Sequence, residues 1–277
     1  MRTGRFDLSG RSLRLPFDPL GGLGLVGLFG VWYAITWFHW LPVVYLPAPD
    51  VVARTIWDNL FASRYLENFH LGRGGLLAAL SYTVQNVALA LLLACTLGIS
   101  LGLASTRVRS ARAVLDPIVL TLGTIPILVT APFFLIWFGT DRSGQIALLV
   151  VYESTLIYMF AQRAVANLDP VYEAAARTMG ATPRHILLDV HLKGTLPEVF
   201  GGIRIALAGA WGLEAVSELL GAPNGMGKVI SALASSTDVP TIMATVLVLA
   251  AVAVAVDILV AGLIGYFTRW RPEVAHG

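Results

Sequence analysis

Residues 173–197 read EAAARTMGATPRHILLDVHLKGTLP, a polar and Ala-rich run set between long apolar stretches. Just upstream, Asp169-Pro170 makes a helix start, with Asp as the cap and Pro at the first helical position. The spacing predicts a helix over Pro170–Met179 that stops at Gly180, because glycine takes the left-handed turn that ends helices. Thr182-Pro183 then restarts a second helix, expected to reach about Leu192 and to end near Gly194. A helix, a break and a helix leave Ala174, Ala175 and Ala181 near the bend, where small side chains let another protein's surface approach. The same residues also read as a re-entry hairpin with no partner, and the local sequence leaves both open.

The flanks settle the environment. Of 277 residues 56% are hydrophobic and 13% charged, where soluble chains average roughly 25% charged. This composition implies an all-α integral membrane protein, and the formal charge of +2 gives no ground for a nucleic-acid partner. Cys95 is the single cysteine, so no internal disulfide exists, and its apolar surroundings read as packing.

A membrane span needs about 20 mostly apolar residues. Six candidates meet this: Gly22–Leu41, one inside the uncharged stretch between Arg73 and Arg107, Pro117–Phe138, Gln145–Gln162, Val199–Leu220 and Val239–Phe267. The second stretch exceeds one span, so its start, Gly74–Gln85, is expected to tilt or to lie along the surface. Basic residues orient the set. With both termini in the cytoplasm, Arg2, Arg5, Arg11, Arg14, Arg107, Arg109, Arg112, Arg163, Arg177, Arg184, Lys193, Arg269 and Arg271 fall inside. Outside remain Arg54, Arg64, Arg73, Arg142 and Lys228, with Arg204 in or beside the fifth span. The opposite orientation inverts this ratio and is rejected. Residues 1–20 then form a cytoplasmic tail, 21–268 the membrane domain with its loop at 169–194, and 269–277 a second cytoplasmic tail.

The first apolar stretch is too long for a cleaved signal peptide and no small-residue cleavage site follows it. Trp32, Tyr33, Trp37 and Trp40 fit a retained span with interfacial aromatics. After it, LPAPDVVARTIWDNL (Leu46–Leu60) places Val52, Ile56 and Leu60 on one face behind an Asp50 cap, a short amphipathic helix on the outer surface.

The loop resembles the cytoplasmic EAA loop in the permease subunits of bacterial ABC importers: Glu-Ala-Ala, three residues, Gly, nine residues, Ile, any residue, Leu-Pro. The likeness covers nearly the whole chain and is closest to the sulfonate, taurine and nitrate branch. It is carried by Asp116–Thr140 (DPIVLTLGTIPILVTAPFFLIWFGT), Ala175–Thr182 (AARTMGAT), Gly201–Trp211 (GGIRIALAGAW), Ala215–Ile230 (AVSELLGAPNGMGKVI) and Asp257. Counted from Gly180, the family's Glu falls on Ala174, so Glu173 stands one residue early, on a helix face turned by about 100°. Val190 and Leu192 match the Ile and Leu, but Lys193 holds the Pro position, and Leu196-Pro197 follows.

The resemblance implies a homodimer in the bacterial inner membrane, with two copies of a separate ATPase and an extracytoplasmic binding protein. It implies that Glu173, Ala174, Ala175, Arg177, Gly180, Ala181 and Thr182 couple to the ATPase. The chain itself is expected to hold no cofactor; ATP and Mg belong to the partner. Transport of a small organic or inorganic anion by alternating access follows, with sulfonate, taurine, nitrate or a related carboxylate all open.

Charges within spans are costly and mark candidate functions. Glu153 lies midway along the fourth span, and Glu214 and Glu218 are four apart on the fifth, hence on one face. With Gln85 on the second span they are candidates for a polar translocation path; the other reading has the acids fixing the bundle. The resemblance favours that structural role for Arg204 and Glu218. Arg204 precedes Glu214 by about 15 Å of helix, too far to pair with it. No GxxxxGK[ST] loop occurs, so the chain is not expected to hydrolyse ATP, and the scattered histidines form no metal set. Against the importer stands a proton-coupled secondary carrier using Glu153, Glu214 and Asp257, which would leave the helix-break-helix without a task.

Overall fold

Apolar runs of this length form helices because lipid offers no partner for backbone N–H and C=O groups. The computed structural model describes residues 19–42, 44–68, 71 and 74–268. Every regular element among them is helical. The basic residues expected in the two tails (2, 5, 11, 14, 269 and 271), with residues 70, 73 and 276, lie outside the described residues.

Helix α1 (Pro19–Trp37) leads to α2 (Pro49–Asn59) and a short α3 (Arg64–Asn68). The long α4 (Gly75–Arg107) is followed by α5 (Arg109–Thr124), α6 (Ile127–Phe138) and α7 (Arg142–Ala166). The loop helix α8 (Pro170–Thr178) precedes α9 (Pro183–His185), which runs through a π-helical turn (Ile186–His191) into α10 (Leu192–Leu219). Helices α11 (Met226–Ala234) and α12 (Val239–Phe267) complete the order.

Four stretches are long and apolar enough to cross a membrane: α4, α7, the continuous Pro183–Leu219 and α12. The expected third span is instead two helices, α5 and α6, meeting at 107°; counted as one span they make five. The cause is Ile125-Pro126. Ile125 is extended (φ −76°, ψ 126°), as a residue before proline prefers, and Pro126, itself extended, is the N-cap of α6. Helix α1 ends at Trp37, short of the expected Leu41, and is a shorter apolar helix than the other spans.

Of the two options for Gly74–Gln85, the separate surface segment is absent: the stretch from Gly75 is one helix of 33 residues. Two further expectations are corrected. Gly194 does not end the second loop helix, which continues unbroken into α10. Glycine can be helical, and here a β-carbon at 194 would sit 2.7 Å from Leu168 Cδ1, so glycine allows close packing rather than a stop. Ala48 rather than Asp50 caps α2, with Pro49 in the first turn. Val52 of α2 is buried, as the amphipathic pattern requires, and α2 packs on α12.

Helix α7 is the centre of the bundle, packed between α4 and α10. Its Leu148, Leu149, Ile157 and Ala161 are fully buried. Lipid tails are as apolar as leucine, so close backbone approach and dispersion hold such helices together. Gly98 and Gly102 of α4 lie on α7, where added β-carbons would come within 2.8 Å of Ile157 Cβ and 2.7 Å of Ala161 Cβ. Gly202 of α10 does the same beneath Phe160, at 2.5 Å. In contrast α5 buries no residue, and Leu128, Val129, Phe133, Ile136 and Trp137 of α6 stand exposed.

Candidate functional site

At the end of the bundle where α4 meets α5, the loop is built as two arms. Asp169 caps α8, its carboxylate accepting from Val171 N at 2.9 Å, and Thr182 Oγ1 accepts from His185 N at 3.4 Å to start the second arm. Gly180 between them has φ +78°, the left-handed turn expected there, and a β-carbon on it would meet nothing within 4 Å. The bend therefore faces open space. Ala174, Ala175 and Thr182 are exposed, Ala181 is half-buried, and Ala176, which the sequence did not single out, is the buried alanine.

Glu173 has a definite task within the chain. Its carboxylate accepts from Arg177 at 2.6 and 3.1 Å, and its other oxygen lies 3.1 Å from His191 Nε2 on the second arm. Arg177 first, and His191 second, hold its carboxyl below the usual glutamate range. Thus the residue displaced by one from the family pattern ties the two arms to each other. Asp189, paired with Lys193 at 2.8 Å, is likewise lowered.

Three contacts fasten the loop to the spans. Arg107 at the end of α4 donates to Pro183 O at 2.6 Å, Asn167 donates to Glu198 at 3.0 Å, and Leu168 lies against Gly194. Beside the loop runs a groove of about 750 Å³ lined by Leu168, Tyr172, Ala175, Met179, Val190 and Pro197 among others. Tyr172 and Met179 are 61% and 81% exposed although apolar or aromatic. Sequence reasoning missed them. Their signal was present: Leu168, Tyr172, Ala175 and Met179 recur at helical spacing, an apolar stripe along the first arm.

The in-span acids lie elsewhere, and the structure does not bring them to the loop. Glu218 is fully buried; its oxygens accept from Thr83 Oγ1 and from Gly227 N, each at 2.7 Å. Thr83 Oγ1 also accepts from Met226 N at 3.0 Å, so one hydroxyl joins α4, α10 and the start of α11. Gly225, at φ +110°, has no space for a β-carbon against the Glu218 carboxylate. Glu214, also fully buried, accepts from Asn86 Nδ2 at 2.7 Å and from Ser217 Oγ at 3.1 Å. Glu153 is buried with both oxygens unpartnered among the described residues. Arg204 pairs with Asp257 of α12, at 3.0 and 2.6 Å, and not with Glu214. Gln85 alone of the four path candidates is exposed, and its side chain accepts from Arg142 at 2.7 Å. Burial and internal bonding of Glu214 and Glu218 are what a bundle-fixing role requires.

A two-armed loop is thus fastened to a bundle of apolar helices. Residues 94–271 match the model of the binding-protein-dependent transport system inner membrane component family. The chain belongs to that family. The taurine transport system permease protein of Escherichia coli K12 is 26% identical over 250 residues, covering 90% of this chain and 89% of that protein. A putative aliphatic sulfonates transport permease of Bacillus subtilis 168 is 25% identical, covering 88% and 84%. The nitrate import permease of Synechococcus elongatus is 27% identical over 67% of this chain and 66% of its own length. Among solved structures, an inward-facing methionine ABC transporter chain aligns with a TM-score of 0.63 at 20% identity, over 74% of this chain and 99% of that one. A bacterial alginate ABC transporter gives 0.60 at 17% identity, over 90% and 97%. These structural likenesses carry the fold. The protein is a multi-pass membrane permease of this family rather than a catalytic enzyme.

Proposed function

We propose that this permease imports a small anion of the sulfonate, taurine or nitrate kind, driven by a separate ATPase that docks on the 169–194 loop. The observation that carries the coupling role is the bend: Gly180 is left-handed and opens onto free space, flanked by exposed Tyr172, Ala175 and Met179. An exposed apolar patch beside a groove fits a protein partner better than a solvated hairpin. The substrate class is taken over from the taurine, sulfonate and nitrate relatives.

The loop end faces the cytoplasm by the distribution of basic residues. A sixth span is assigned to α1, and both termini are placed inside. Two copies assemble, and the face offered to the second copy is the outer side of α5 and α6, where Leu120, Leu128, Val129, Phe133, Ile136 and Trp137 stand exposed. The translocation path then runs where the bent pair, α7 and α10 of the two copies meet. ATP closes the ATPase pair on its two nucleotides with Mg; that closure moves both loops, and α10, continuous with the second arm, carries the movement into the bundle. Alternating access results. An extracytoplasmic binding protein delivers the substrate at the opposite end.

Glu214 and Glu218 serve as frame rather than path in this account, and Asp257, paired with Arg204, is no proton site. The carrier alternative rests on Glu153, whose oxygens lack a partner. Proteoliposomes holding the permease, the ATPase expressed with it and the binding protein test the choice. ATP-dependent uptake of taurine, ethanesulfonate or nitrate is expected; uptake driven by a proton gradient without any ATPase sinks the proposal.

A further inference from the structure

The end of the bundle opposite the coupling loop carries a cleft of about 290 Å³ that none of the buried acids enters. It is lined by Ser81, Tyr82 and Gln85 of α4, Arg142 at the start of α7, and Asn224 and Lys228 around the α11 start. Both of its charged residues are basic. Arg142 is held in place without being neutralised: Nε donates to Asn86 Oδ1 at 2.6 Å, a second nitrogen donates to Gln85 Oε1 at 2.7 Å, and the guanidinium lies 5.1 Å over the Tyr82 ring. All three partners are uncharged. Lys228 has no hydrogen-bond or ion-pair partner among the described residues. No carboxylate lines the cleft; behind its wall Glu214, bonded to Asn86 and Ser217, lies within electrostatic reach of Arg142, and Glu218 is bonded to Thr83 and Gly227.

Two cations and no carboxylate on the cleft wall leave positive potential at its opening, and the low-dielectric walls focus it outward. A planar guanidinium fixed by amide oxygens and an aromatic face is pre-organised, so little entropy is lost when it binds an oxyanion. The volume sits at the lower end for ligand pockets, suited to a small anion rather than to a drug-sized one. We infer that Arg142 and Lys228 form an oxyanion site for a sulfonate, carboxylate or nitrate group at the outer mouth of the permease. Ser81, Gln85 and Asn224 supply hydrogen bonds beside them. This rests on the proposed anion importer and names where the permease itself would first hold its substrate. A phosphate on an anionic lipid headgroup has the same chemistry.

The test places the complete complex, permease with its ATPase, in nanodiscs of phosphatidylcholine without binding protein. Saturation-transfer NMR then reads binding of ethanesulfonate, taurine and acetate, with ethanesulfonamide as the uncharged control. Wild type is expected to bind the anions and not the amide. Arg142→Gln and Lys228→Gln should each weaken binding about tenfold, as loss of a charge-assisted hydrogen bond does. Arg142→Lys keeps the charge and guards against a folding artefact; it should bind better than Arg142→Gln. Equal binding by wild type and both Gln variants, or equal binding of the amide, overturns the site. Loss of the anion signal on adding phosphatidylglycerol would assign the cleft to lipid and overturn it as a substrate site. ATPase retained on the nanodisc with no anion binding refutes this inference alone, whereas absence of any ATPase refutes the importer account.

Discussion

Thr83→Val is the most informative single perturbation of the bundle. Valine keeps the branched shape of threonine, so no cavity opens and only the hydroxyl is lost. That hydroxyl donates to Glu218 at 2.7 Å and accepts from Met226 N at 3.0 Å. Interhelical hydrogen bonds in membranes average about 0.6 kcal/mol and reach about 1.7. Two are lost here, and the site is fully buried, so water cannot replace the partner. The expected loss is about 1–3 kcal/mol. Glu218 keeps its bond from Gly227 N, which prevents a larger effect. Reversible unfolding in mixed micelles by titration with SDS gives the measurement. Thr83→Ser, which retains the hydroxyl, should fall much closer to wild type. A Thr83→Val protein as stable as wild type, or a Ser variant as weak as Val, refutes the claim that this hydroxyl joins the three helices.

Other perturbations follow from the same contacts. Gly102→Val would push side-chain atoms into Ala161 and the Tyr158 backbone, costing about 1–3 kcal/mol by the same unfolding assay; for the milder Gly102→Ala, a partnering Ala161→Gly should recover part of the loss. Arg204→Leu leaves Asp257 unpaired in a span, worth up to about 3 kcal/mol at a span centre; membrane-inserted yield should drop, and Arg204→Leu with Asp257→Leu should restore it. Glu173 is held below its ordinary value of 4.5, so its tie between the loop arms is fully present above that pH and disappears as pH falls through the lower folded value. Amide exchange over residues 170–192 should therefore speed up, beyond the intrinsic pH effect, as pH drops below 4.5 in wild type, while Glu173→Gln shows the looser loop at every pH.

The loop was legible because its signals are local. Asp169-Pro170, Gly180 and Thr182-Pro183 each act through a few neighbouring backbone atoms, and each produced the cap or turn expected of it. Gly194 misled because glycine both stops helices and lets them pack; choosing between these needs Leu168, 26 residues upstream, which only the fold brings near. The bend at Ile125-Pro126 was written in the sequence, yet a continuous apolar run of span length masks a proline rule. GISLG at 98–102 is a small-xxx-small signature whose partner helix, α7, cannot be read from the motif itself. The in-span acids stand out as costly residues, but Thr83 and Gly227, the partners of Glu218, are neutral and carry no sequence mark. Glu173 illustrates the same limit: a shift of one position turned it toward His191, 18 residues on.

If the bend at Gly180 is the socket for an ATPase, Gly180→Trp should block it, because the ring would project into the open space before the bend and no other part of the chain lies within 4 Å of the β-carbon. ATP hydrolysis is measured in nanodiscs containing permease and ATPase, wild type against variant, with Gly180→Ala, which carries the same left-handed strain at φ +78° without the ring, as the control. Gly180→Trp is expected to lose assembly or stimulated hydrolysis while the isolated permease remains folded. A variant that assembles, hydrolyses ATP and transports like wild type would contradict it.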